Sequence, residues 1–233
     1  MPLDLPPHFL IADFKRVAPV DASTVWDKLL ERNAHRLTVK RPAALENLRT
    51  IVETTFRLAN KVGFGAMTLR DLSGACGLSM GGLYGYIASK DDLAAMIEDM
   101  IRFLAAEIPG WFDGPWPALE RLEAMLRGHV YITEILQPWF YFVFLESRTL
   151  SEGQRQVAKA SEMDVQQGLT RLFAEAGIDD ALEAQVLAGH FLALSQDWYV
   201  KRWKYRQLKV PVDAFADSIC RLARARVEAG AAS

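Results

Sequence analysis

Cysteine is nearly absent: Cys76 and Cys220 are the only two in 233 residues, and they stand too far apart for metal or redox spacing. A disulfide framework and a zinc module are thereby excluded, and buried reduced thiols in a cytoplasmic setting are expected. Histidine is scarce as well. His8, His35, His129 and His190 show no ligand spacing, no nucleophile elbow is present, and neither cysteine has an evident activating partner. No catalytic residue, metal site or cofactor is therefore expected. An excess of one charge is also missing, since 27 basic and 29 acidic residues leave a net −2, so the chain is not a uniformly basic nucleic-acid binder. The longest uncharged aromatic run, Ile135 to Leu145, falls short of the roughly 20 residues that cross a bilayer, and no basic-then-apolar leader opens the chain. Strand-like alternation of useful length and any repeat period are lacking too. The reading is all-α, with no membrane partner.

What is present centres on Thr68 to Lys90, TLRDLSGACGLSMGGLYGYIASK. Thr68 followed three residues later by Asp71 is a capping box, so a helix starts near Leu69. Leu69, Leu72 and Cys76 then recur at spacings of three and four, and Gly77 ends the helix because a residue past a helix end often needs positive φ. Ser79 is placed to cap a second short helix, with Leu83 and Ile87 four apart. Gly81, Gly82 and Gly85 each weaken that helix by roughly 1 kcal/mol relative to alanine, so packing must hold it. In return, glycine lets a backbone lie very close to a neighbouring surface. Two short helices joined at a glycine turn form the helix-turn-helix unit, which places its second helix in the DNA major groove. Gly82-Leu83-Tyr84-Gly85 also matches the GXXG of KH domains, but no basic neighbours support RNA clamping. No strand run precedes the glycines, as a dinucleotide loop would require.

The phrase from Gly77 to Lys90, G-L-S-x-G-x-L-Y-x-Y-I-x-S-K, closely resembles the signature of TetR-family transcriptional regulators, and the resemblance is strong from Ala43 to Ile101. It implies an N-terminal three-helix DNA-binding head followed by a larger helical body that binds ligand and dimerises. By the same resemblance, Tyr84 and Lys90 hold phosphates and Arg70 reaches a base. Thr68, Ser79, Met80, Gly81, Gly82 and Tyr86 complete the expected DNA-binding set. The sequence departs from the family where Met80 replaces a frequent basic residue and Gly85 a frequent polar one, which makes base readout poorer. Charge agrees with a head that binds at one end of the molecule: Arg36 to Lys90 carries eight Lys or Arg against three acids, a net +5.

The remaining segments divide into an arm (1–41), the head (42–90) with a connecting helix (90–107), and an effector-binding and dimerisation body (108–233). Prolines 2, 6, 7 and 19 break the arm, which holds one short helix from Thr24 to Asn33 with Thr24 and Asp27 as its capping box. Lys40 and Arg41 are placed where a leader would touch the minor groove or simply stay solvated. Pro42 suits a first helical turn, Leu45, Leu48, Val52, Phe56 and Ala59 stripe the helix that follows, and Gly63 closes it. Ser89 and Asp92 cap the connecting helix, and the Pro/Gly cluster from Pro109 to Pro117 ends it. Further helices are expected at 117–136, 138–147, 153–176, 180–207 and 212–229, with Ser151 and Gln154 capping the third and Asp180 and Glu183 the fourth.

In the body, Trp139 to Phe144 is apolar on every side, so that helix should be enclosed. Bulky rings with a few polar groups in a bundle core are a usual ligand site. Trp111, Met125, His129, Trp139, Tyr141, Phe142, Phe173, His190 and Phe191 are the expected lining for a small hydrophobic or aromatic effector. The family resemblance implies a homodimer through the last two helices. The basic run Lys201, Arg202, Lys204, Arg206 and Lys209 reads as an answer to a helix macrodipole rather than as a nucleic-acid patch. Taken together, the expectation is a repressor that an effector releases from a double-stranded operator. The alternative is a protein of the same fold that binds effector or partner and has lost specific DNA binding.

Overall fold

The computed structural model describes residues 1–6, 8–37, 43–146 and 152–231. Among these residues every element is helical: α1 Ile11–Val17, α2 Thr24–Asn33, a 3-10 turn Ala34–Arg36, α3 Ala43–Val62, α4 Leu69–Cys76, α5 Met80–Tyr84 and α6 Lys90–Trp111, then α7 Ala118–Ile135, α8 Gln137–Glu146, α9 Glu152–Glu175, α10 Ala181–Val200, α11 Arg202–Gln207 and α12 Val212–Ala231. No described helix is long and apolar enough to cross a membrane. Two compact units form, one from residues 20–102 and 138–159, the other from 1–19, 103–137 and 160–233. This partition differs from the three-part division read from the sequence. The first half of the arm belongs with the body, and α8 belongs with the head.

The head unit is built on the stripe that the sequence shows. Leu48, Ile51 and Val52 of α3, Leu72 of α4, Leu83 of α5, and Leu93 and Ile97 of α6 are all buried. At about 1.5–3 kcal/mol for each buried aliphatic side chain, these contacts outweigh the cost of the glycines in α5. Gly63 and Gly77 close α3 and α4 with φ of 81° and 69°, a region open to glycine without strain. The aromatic helix α8 is not fully enclosed: Trp139, Phe140, Phe142 and Val143 are buried, whereas Phe144 and Leu145 are about two-fifths exposed. Trp139 packs between Trp26 and Phe56, with centroids 5.2 and 5.3 Å away, and Phe142 between Phe56 and Phe64 at 5.5 and 5.1 Å.

The cap of α2 lies three residues earlier than expected. Asp21 takes the capping place expected of Thr24: it accepts from the Thr24 and Ser23 amides at 2.8 and 2.7 Å and from the Ser23 hydroxyl at 2.7 Å, and these bonds hold its carboxyl down at about 2. The Asp92 amide donates to the Ser89 hydroxyl at 3.0 Å, the cap expected for α6. The capping pair Ser151 and Gln154, together with Lys40, Arg41 and Pro42, lie outside the described side chains.

In the body unit, α6 continues through Pro109 to Trp111 instead of ending near 107. Pro109 is accommodated against α9, where Gly168 leaves room for its ring. The expected helix 180–207 is broken at Lys201, giving α10 and α11. The basic run stands at the C-terminal ends of α10 and α11, and three of its members also pair with acids. Lys201 and Lys204 bond Asp197 at 2.9 and 2.6 Å, while Arg202 clamps Glu134 at 2.8 and 2.7 Å and lies 4.5 Å above the Trp198 ring. Burial opposes ionisation of Asp197, but bonds from Lys204, Tyr205 and Lys201 prevail and hold it at about 2. The arm, expected to lack regular structure before Thr24, forms α1 and buries Leu5, Phe9 and Phe14.

Glu98 on α6 is 3% exposed, its Oε1 has no hydrogen-bond partner, and burial pushes the carboxyl from 4.5 up to about 7. The folded chain therefore holds this proton more tightly than the unfolded chain. Stability from this site is greatest below pH 4.5 and is lost as pH rises through about 7. Glu98→Gln removes the penalty, and the variant is expected to exceed the parent by about 3 kcal/mol at pH 8 and to match it near pH 4. Thermal melts at both pH values check this, and an equal gain at pH 4 and pH 8 would contradict it.

Candidate nucleic-acid interface and effector residues

The α4–turn–α5 unit is fastened by side chains within it. The Thr68 hydroxyl accepts from the Asp71 amide at 3.1 Å and the Asp71 carboxylate accepts from the Thr68 amide at 3.0 Å, which completes the capping box. The Thr68 hydroxyl and amide together hold the Asp71 carboxyl below its usual range. Past Gly77, the Leu78 amide donates to the Ser73 carbonyl at 3.1 Å, and the Ser73 hydroxyl returns a bond to the Leu78 carbonyl at 2.6 Å. The role of Ser73 has no sequence signal, because nothing in a helical stripe marks a serine that staples the next turn. The Ser79 hydroxyl accepts from the Gly82 amide at 3.0 Å and opens α5.

Leu83 pins α5 from below, and the opposite face is open. Gly81 and Gly82 are exposed, a methyl on Gly81 would meet no atom within 4 Å, and Tyr84 is 53% exposed. Arg70 is exposed on α4 and Met80 is half-buried. Lys90 is half-buried, with its ammonium donating to the Gly65 carbonyl at 2.9 Å and standing 5.0 Å from the Phe64 ring centroid. That posture fixes the amine while leaving two of its three protons for a phosphate. Tyr86 requires a correction, since it is 3% exposed and its hydroxyl accepts from the Asn47 amide nitrogen at 2.9 Å. It is a buried strut between α3 and the end of α5, not a side chain presented to DNA. Of the basic segment, Arg36 pairs with Asp92 and Arg49 with Glu53, so part of the local charge is neutralised.

The nine expected effector residues do not converge on one cavity. Trp139 and Phe142 belong to the head-unit stack, and Tyr141 and Phe142 line a cavity of about 100 Å³ with Phe56, Ala59, Asn60 and Pro138. Trp111 packs near Phe14 at 6.3 Å, Phe173 meets Phe191 at 5.3 Å, and Met125 lies over Gly168. His129 is buried, and desolvation pushes its pKa down to about 4, which keeps the imidazole neutral. His190 is exposed and lines an open groove of about 500 Å³ between α10 and α12, with Leu194, Phe215, Ile219 and Leu222. The scatter has a simple cause, because neighbouring rings on a helix that is apolar all round point into different layers.

The body also holds a polar network that spacing does not reveal. Tyr131 donates to Asp213, Arg127 donates to Asp217 at 2.6 Å, and buried Glu123 accepts both Arg224 bonds at 2.8 and 2.7 Å. Among the described residues no group of His, Cys, Asp or Glu could hold a metal.

Residues 51–97, which hold most of α3, all of α4 and α5 and the first turns of α6, match the family described as bacterial regulatory proteins, tetR family. The head is of the TetR family. Solved structures extend the likeness to the whole TetR-family fold. AibR in complex with isovaleryl coenzyme A and operator DNA is 22% identical, with a TM-score of 0.64 over 76% of this chain and 97% of that one. A tetR-family regulatory protein from Rhodococcus RHA1 is 18% identical, with a TM-score of 0.67 over 76% and 94%. FadR from Bacillus subtilis in complex with stearoyl-CoA is 15% identical, with a TM-score of 0.58 over 75% and 96%. No curated protein sequence matches the chain significantly. The arm with α1 and α2 lies upstream of the TetR-family match.

Proposed function

We propose that the chain is a homodimeric transcriptional repressor that a small, mostly apolar or aromatic effector releases from a double-stranded operator. The observation that carries this reading is the exposed face of α5, with Gly81, Gly82 and Tyr84 outward over a fully buried Leu83. A helix that is glycine-rich on its open side and held from behind is suited to close approach to a groove. Arg70 supplies base readout, while Tyr84 and Lys90 supply phosphate contacts that fix register. The groove between α10 and α12, together with the exposed Leu182 and Val186 of α10, supports a two-fold dimer through these helices. Two heads would then reach successive major grooves about 34–36 Å apart or a multiple of that. The effector favours a form with another separation and shifts the population by no more than its differential affinity. AibR and FadR are each described with an acyl-coenzyme A, which supports an effector with an apolar portion.

A salt titration of binding to the chain's own upstream DNA tests this. A discrete site still preferred near 150 mM salt supports the repressor, and uniform weak binding supports the protein that has lost operator recognition. Within that assay, Tyr84→Phe and Lys90→Ala should weaken binding to all sequences alike, with Lys90→Ala lowering the salt slope by about 1. Arg70→Ala should also relax sequence preference by about 1–3 kcal/mol at one base pair. Equal losses for all three on every operator would contradict this division of roles.

A further inference from the structure

The geometry points to a second role for the cleft that receives residues 3–6 and 8–17: it is an exchangeable aromatic-binding site, and the arm is its resident occupant. The arm is held as a ligand would be. Phe9 lies parallel to Phe112 (6.0 Å, 3°) and meets the edge of Tyr131 (5.8 Å, 72°), while Phe14 packs on Trp111 and Tyr131. Both rings are fully buried. The polar hold is sparse and directional. The Ile11 amide donates to Asp213 Oδ1 at 2.9 Å, and the Leu3 amide donates to the Trp111 carbonyl at 2.9 Å. Asp213 also accepts the Tyr131 hydroxyl, so one carboxylate both organises the aromatic slot and offers an acceptor at its mouth. An apolar slot with a few convergent polar groups is the usual form of a small-molecule site.

The occupant itself has little independent order. α1 has seven residues, well below the length at which an isolated helix persists, so the arm keeps its shape only while seated. The arm also continues into α2, whose Trp26 stacks on Trp139 and whose Arg32 bonds Asp99 at 2.9 Å in the head unit. The occupant is thus one end of a segment whose other end belongs to the DNA-binding unit. The matching ligand is an aromatic molecule that carries one hydrogen-bond donor or a cationic nitrogen for Asp213. Its use as an effector rests on the regulator reading above, but the site can be tested without DNA.

The test uses the full chain and its Phe9→Ala/Phe14→Ala variant, a labelled synthetic peptide of residues 1–17, and 2-phenylethylamine as the small probe. The peptide should bind the variant at least tenfold more tightly than the parent, whose own arm competes at high effective concentration. A peptide with both phenylalanines changed to alanine should not bind, and 2-phenylethylamine should displace the native peptide. Equal binding to parent and variant, or no displacement by the amine, overturns the proposal. If circular dichroism shows the variant unfolded, hydrogen exchange on the parent decides. Amides of residues 9–17 exchanging at least tenfold faster than those of α7 support an opening site, and equal protection makes the arm permanent core and overturns it. Loss of operator preference in the salt titration, with peptide exchange intact, would refute the regulator and leave the site.

Discussion

Gly128→Ala is expected to destabilise the body by about 3 kcal/mol, although it adds one methyl and improves helix propensity by roughly 1 kcal/mol. The methyl would lie 2.0 Å from Phe112 Cζ and 2.6 Å from its Cε2, far inside contact distance. Phe112 cannot swing away cheaply. It is 1% exposed and stacked flat on Phe9, which is itself enclosed by Phe14 and Tyr131. Relief would require moving the arm, the end of α6 or the axis of α7. For a chain of this size, about 3 kcal/mol corresponds to a Tm drop of roughly 6–12 °C. The two compact units make a split transition the natural outcome, with the body component melting early. Phe112→Leu on the Gly128→Ala background should recover at least 1 kcal/mol relative to additivity, because it removes the ring edge that the methyl meets. A Gly128→Ala melt superimposable on the parent would show that the arm–Phe112 stack yields freely.

That stack also shows where reading from sequence succeeds and where it stops. The head is legible because its determinants are local: Thr68 and Asp71 satisfy each other across one turn, Gly77 adopts φ 69°, and Leu72 and Leu83 fall on buried faces. Each is decided within a few residues, so spacing alone reveals it. The arm is not legible for the opposite reason. Prolines argue for irregular backbone; Asp13 caps the Leu10 amide locally, but it is contacts with Trp111, Phe112, Tyr131 and Asp213, about a hundred or two hundred positions away, that bury the seven helical residues. Tyr86 shows the same limit at short range. Its motif position suggests DNA, but Asn47 on α3 claims its hydroxyl. The effector residues scatter because composition can name aromatic residues without saying which layer each ring enters. Asp21 is hard to recognise as the cap because two plausible boxes, Asp21 with Thr24 and Thr24 with Asp27, overlap, and the choice between them depends on backbone entry into α2.

Gly81→Glu is expected to abolish operator preference and weaken duplex binding on the order of 100-fold near 150 mM salt, while leaving the fold intact. Within the chain the position is empty, because no atom lies within 4 Å of an added Cβ. Its backbone is helical, so no left-handed strain arises. Glutamate is a better helix former than glycine by up to about 1 kcal/mol, and a carboxylate in the first turn of α5 is favoured by the helix dipole. Stability should therefore stay level or rise slightly. On DNA the effects reverse, since the side chain fills the space that lets the backbone approach, and its charge faces phosphate and base-edge acceptors. Gly81→Ala separates the two contributions: it adds bulk without charge and should cost less, with an unchanged salt slope. Gly82 is not an equivalent control, because an added methyl there lies 3.3 Å from the Ser79 oxygen that caps α5. Thermal melts and DNA titrations of the same purified variants distinguish the outcomes. Wild-type affinity in Gly81→Glu would remove α5 from the interface, whereas a large drop in Tm would show that the glycine serves the fold rather than the contact.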